Sequence, residues 1–183
     1  NPRQPAAGSL RAIVAAAAPG DVVRFDRPLL VPLAGHLDVA TADLRFVGPG
    51  GVEGRSRGKR AVSVRVRAAG VVFDDVEFRD VQVTAAPRRA QTLAGPAFED
   101  CRLFGQARIV LRHTVGARIV NCAILSDPVP SRKSPPAVED FASRDTRIEA
   151  GEIRIVGGLA LSAQLVHGMA VEGVTLTGDV RIR

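Results

Sequence analysis

Acidic side chains crowd two short stretches of the chain, Asp74-Asp75 with Asp80 close behind, and Glu99-Asp100. Brought together, such carboxylates can hold a cation or move a proton. Set at alternate outward positions of strands, they make a solvated acidic face instead. Nucleophile chemistry has little to build on. No Gly-x-Ser-x-Gly elbow occurs, and His36, His113 and His167 lie in unrelated segments with no i, i+4 spacing, so neither a serine-hydrolase triad nor a zinc centre is signalled. The two cysteines, Cys101 and Cys122, are too few for a disulfide scaffold or a four-ligand metal site.

The elements that would carry these residues follow from composition and period. Of 183 residues 46% are hydrophobic, enough for a core, yet there are seven Phe and neither Trp nor Tyr. Val, Ile, Leu and Ala must fill the interior, and large stacking platforms for bases are excluded. Ser9 is a plausible N-cap for a helix over about 9–18, stopped by Pro19-Gly20-Asp21. From Val22 onward the chain runs in short Val/Ile/Phe segments of period two, such as Ala61-Val62-Ser63-Val64-Arg65-Val66-Arg67. Two stretches break the rhythm: a basic, glycine-rich loop over 48–60, and a proline-rich corner loop over about 126–137, with four prolines between Ser126 and Pro136.

Those segments repeat. An apolar residue is followed three and five places later by two more: Phe73, Val76 and Phe78; then Phe98, Cys101 and Leu103; then Ile119, Cys122 and Ile124. The frame is looser at Ile148, Gly151 and Ile153, and clear again at Val171, Val174 and Leu176, with Phe46 as first member. Starts at 46, 73, 98, 119, 148 and 171 give a variable period in the twenties, which stacked coils with variable corner loops produce. The expected fold is all-β: a right-handed parallel β-helix of about seven coils, residues 9–183, with an N-terminal capping α-helix behind an extended segment 1–8. Cys101 and Cys122 then share a column on adjacent coils, where buried thiols are favoured over a disulfide.

With Gly8-Ser9-Leu10-Arg11, Val22-Val23-Arg24-Phe25-Asp26, Leu44-Arg45-Phe46-Val47-Gly48-Pro49-Gly50-Gly51-Val52 and a run ending in Phe78-Arg79, residues 8–125 resemble pectate lyases and related β-helix proteins. The resemblance implies calcium held by carboxylates, for which Asp74, Asp75, Glu99 and Asp100 are the candidates, and β-elimination of an acidic polysaccharide by an arginine or lysine base. Glu99-Asp100 stands where that family often has Asp-His. Phe104-Gly105-Gln106-Ala107-Arg108-Ile109-Val110 lacks the further acids, and Arg132 is the nearest arginine to the base position. Catalytic candidates under this resemblance are therefore Glu99, Asp100 and Arg132.

Charge completes the reading. Twenty-five basic residues, all Arg except Lys59 and Lys133, face 19 acids for a net +6, and strand arginines such as Arg65, Arg67, Arg154, Arg181 and Arg183 alternate with apolar neighbours. This describes a solvated outer face; nucleic acid is not expected without aromatics to stack bases. Apolar stretches fall far short of the roughly 18–20 residues of a membrane span. The chain begins Asn1-Pro2-Arg3-Gln4-Pro5 without Met, as after signal-peptide removal or in a sequence that starts late, and a secreted or cell-surface protein is expected. Its final strand pattern predicts an uncapped coil that self-associates through Val180, Ile182 and Arg183, with Asn1, Pro2 and Pro5 able to reach a neighbour. The expected function is a non-catalytic structural subunit of an extracellular filament or surface layer, without cofactor. The alternative is a calcium-dependent polysaccharide lyase or an acidic-polysaccharide-binding module.

Overall fold

The computed structural model of the chain describes residues 9–55, 62–87, 91–127 and 135–183. It is a parallel β-solenoid of about six turns with one short helix near its N-terminal end. Three long strand ladders wind it, and a short fourth pairs Leu93–Ala94 with Thr114–Val115. The first stacks Val22–Arg24, Arg45–Val47, Val72–Asp74, Ala97–Glu99, the starts of the long strands Arg118–Ser126 and Arg147–Gln164, and Ala170–Glu172. The second stacks Leu30–Leu33, Gly51–Gly54, Glu77–Arg79, Arg102–Gly105, the later parts of the two long strands, and the start of Thr175–Ile182. The third runs His36–Val39, Val62–Val66, Val81–Ala85, Arg108–Arg112, Val138–Phe141, and the ends of Arg147–Gln164 and Thr175–Ile182. Every pairing is parallel, so each side chain lies over its counterpart one turn away.

The repeating apolar frame is this register. Phe46 pairs with Phe73, Phe73 with Phe98, Phe98 with Ile119, Ile119 with Ile148, and Ile148 with Val171. The column begins one turn earlier than the period indicates, since Val23 lies against Phe46. Inside the solenoid Phe46, Phe73 and Phe98 stack at centroid distances of 4.9 and 5.3 Å, and Phe78 meets Phe73 edge-on at 5.4 Å. Each such contact contributes about 0.5–1.5 kcal/mol beyond the burial of its area.

Corners need residues at positive φ, and the frame places them. Between its first and second apolar residues stand Asp75, Asp100, Asn121, Ala150 and Gly173, all with φ between 51° and 63°. A second column lies three residues upstream of each inward start: Gly20, Asp43, Gly70, Gly95, Gly116, Asp145 and Gly168, all left-handed. Their amides bond turn to turn, from Asp43 N–H to Ala69 O at 2.9 Å through Asp145 N–H to His167 O at 2.8 Å. Gly and Asp fill this column because they enter the left-handed region at lower cost than most residues.

Two boundaries differ from the sequence reading. The helix spans Leu10–Ala16, capped by Ser9, whose Oγ accepts from Ala12 N–H, and Ala17 is already extended (ψ 139°). Pro19 sets this early end, because the residue before a proline is driven out of the helical region and the reversal must begin ahead of it. Within the glycine-rich stretch 48–60, Gly51–Gly54 is a strand of the second ladder rather than loop. A Cβ on Gly51 would fall 1.8 Å from Glu77 O, so glycine there reports close packing between turns. Residues 56–61 lie outside the described residues, as do 128–134 of the proline-rich stretch; Ser126 ends one strand and Val138 starts the next.

Candidate functional site

The first ladder brings the acidic candidates together. Glu99 is in register with Asp74, both outward, while Asp75 and Asp100 turn the adjacent corner at φ 53°. Each then meets a partner. Asp74 accepts from Arg45 at 2.7 Å, Glu99 lies 3.7 Å from Arg118, Asp75 lies 3.9 Å from Arg102, and Asp100 accepts from the Asn121 amide. The hydrogen bond and charge of Asp74 raise the Arg45 guanidinium further above its usual value. Asp80 accepts the Gln106 amide N–H at 2.9 Å. Among the described residues no three His, Cys, Asp or Glu side chains are grouped so as to hold a metal ion. Arg132 lies outside the described residues.

Similar pairs tile the remaining outer surface: Arg79 with Glu77, Arg112 with Glu139, Arg147 with Glu149, Arg154 with Glu152, and Arg67 with Asp38. Exposed pairs contribute about 0–1 kcal/mol each. Their effect is on surface charge, which they neutralise locally along the sides.

Cys101 and Cys122 are free, buried and stacked in one column. Their Sγ atoms point at Phe73 O and Phe98 O respectively, each at 3.4 Å. The contact with the Cys122 thiol, reinforced by burial, pushes the Cys101 thiol well up, which suppresses the thiolate that reactive cysteines need.

A buried polar group escaped the sequence reading. Thr114, Asp140, Ser143 and Thr146 sit inside the solenoid, all at most 1% exposed. The Thr114 hydroxyl bonds Ser143 Oγ at 3.0 Å, but both Asp140 carboxyl oxygens and Thr146 Oγ1 have no hydrogen-bond partner among the described residues. Asp140 stands between Leu111 and Ala163 in an inward column. Burial raises its pKa, and the nearby Ser143 and Thr146 hydroxyls only partly oppose the rise. The histidines stay apart: His36 bonds Ser63 at 2.8 Å, and His113 packs edge-on against Phe141.

The two ends differ from the sides. Among the described residues, every large exposed apolar side chain lies at one end or the other: Ile13, Val22 and Leu29 near the helix; Leu165, Val171, Val180 and Ile182 on or beside the last turn. Val180 and Ile182 occupy core columns above Leu161 and Ala163, yet are 48% and 69% exposed. Arg183 exchanges backbone bonds with the preceding turn (N–H to Ala163 O, 2.9 Å; Leu165 N–H to its O, 3.0 Å), so alternation aims the Ile182 peptide groups at the open side. Helix residues Leu10 and Val14 join the core at the opposite end. There Leu29 O and Leu33 O accept from the second turn, which leaves the Pro32 nitrogen, without a hydrogen, on the free edge. Asn1, Pro2 and Pro5 lie outside the described residues.

Comparison with protein-family models, curated proteins and solved structures gives no match to this chain. The β-solenoid therefore rests on its own register and packing. No helix among the described residues is long and apolar enough to cross a membrane.

Proposed function

We propose that this chain is a rigid, non-catalytic β-solenoid unit that associates end to end with a second copy through its last turn, residues 170–182. The observation that carries the reading is the segregation of its surface: exposed apolar side chains at the ends, arginine–carboxylate pairs along the sides. An open strand edge beside exposed core side chains favours pairing with another edge. The helix and Pro32 blunt the opposite end, so the open turn of one copy meets the open turn of another in a two-fold, isologous contact.

Sedimentation velocity over a concentration series tests it. Reversible association is expected for the chain, and loss of it for Val180→Asp and Ile182→Asp, whose exposed positions tolerate the charge. A monomer at every concentration, or association indifferent to both substitutions, overturns the proposal.

One observation favours a second reading, an acidic-polysaccharide lyase or binding module of pectate lyase-like descent. Asp74, Asp75, Glu99 and Asp100 lie on neighbouring turns beside Arg45, Arg102 and Arg118, though not grouped as a metal site. Calcium would have to draw these carboxylates from their present partners. New unsaturated-sugar absorbance on pectate or alginate with calcium, lost in Glu99→Gln and Asp100→Asn, would establish this reading in place of the first.

A further inference from the structure

We infer that the groove between the N-terminal helix and the first turn binds a carboxylate-headed amphiphile, a fatty acid or similar acyl anion. The groove encloses about 470 Å³. Its floor is apolar, made by Leu10 and Ile13 from the helix and by Val23, Phe25, Val31 and Leu33 from the first turn. Pockets of roughly 300–1,000 Å³ with apolar walls and a few convergent polar groups are the usual form of small-ligand sites.

The polar groups here are cationic. Arg11 and Arg24 line the groove, and neither has an acidic partner among the described residues. Arg11 is anchored by donation from Nη2 to Ala34 O at 2.7 Å, while its Nε–H is buried without an acceptor among the described residues. A buried guanidinium donor lacking an acceptor is an incomplete site, and a carboxylate supplies acceptors in the geometry that guanidinium donors prefer. An acyl chain behind that head would cover the apolar floor. A metal cation is disfavoured by two arginines, and a sugar by the scarcity of other polar groups on the wall.

Isothermal titration of the 183-residue chain with dodecanoate, below its micelle concentration, tests the site. One saturable site is expected, with dodecanol binding about tenfold or more weaker because the charge-assisted bonds are lost. Arg24→Glu, at an exposed strand position, is expected to weaken dodecanoate by a similar factor and to leave dodecanol unchanged. Arg11→Met should do the same, with circular dichroism checking its fold. Absence of saturable binding, equal affinity for dodecanoate and dodecanol, or dodecanoate affinity unmoved in both variants overturns the inference. The groove and the 170–182 turn lie at opposite ends, so this outcome is independent of self-association.

Discussion

Asp140 is the residue whose surroundings fit its chemistry least. A carboxyl at 1% exposure without a hydrogen-bond partner among the described residues favours its neutral form, and burial accordingly raises its folded-state pKa above the unfolded value. The sign of the pH effect follows. Below the unfolded pKa both states hold the proton and Asp140 costs nothing differential. As pH rises past that value the unfolded chain ionises first, so stability falls until pH passes the raised folded pKa and then levels. Urea melts from pH 3 to pH 8 should show Asp140→Asn gaining on the parent chain as pH rises; a difference independent of pH contradicts a buried, neutral Asp140. Val138-Glu139-Asp140-Phe141 hid this in the sequence, because two adjacent acids do not say which faces inward. The ladder turns Val138 and Asp140 in and Phe141 out, against the preference of Asp and Phe. A second residue-scale expectation concerns Gly151 and Gly173, both at positive φ. A Cβ on Gly151 would meet Cys122 O at 2.3 Å, whereas one on Gly173 finds nothing closer than 3.9 Å. Gly151→Ala should cost about 3–4 kcal/mol and Gly173→Ala about 1 kcal/mol, read from urea midpoints. Equal costs would mean that backbone strain alone governs these corners.

At the scale of elements, the stacked column is the part of the fold that sequence spacing reveals. Phe73, Phe98 and Ile119 recur because each must sit over the last, and the residues three and five places on recur because one left-handed residue turns the corner between two strands. The upstream corner column was harder to see, since Gly70 and Asp43 look unrelated as letters and only a shared φ unites them. The groove was invisible in the sequence. It depends on a helix that stops at Ala16 and on how that helix lies over the first turn, neither of which follows from local propensity. The aromatic stack predicts a graded mutational response. Phe73 touches Phe46, Phe78 and Phe98, so Phe73→Leu should lower stability by about 2–3 kcal/mol, more than Phe46→Leu, which loses one ring contact. The reverse order in thermal or urea denaturation would contradict this packing.

For the whole molecule, parallel stacking dictates the distribution of surface. Alternation sends arginines and acids outward on every turn, where Arg45 with Asp74 or Arg112 with Glu139 cancel locally, so apolar surface can gather only where the stack ends. The proposed association therefore runs along the axis and not across it. Small-angle X-ray scattering over a concentration series measures both directions at once. The maximum dimension should roughly double on association while the cross-sectional radius stays that of one solenoid, as a two-fold contact between open ends requires. A cross-section that widens with concentration, or dimensions that never change, would contradict end-to-end assembly.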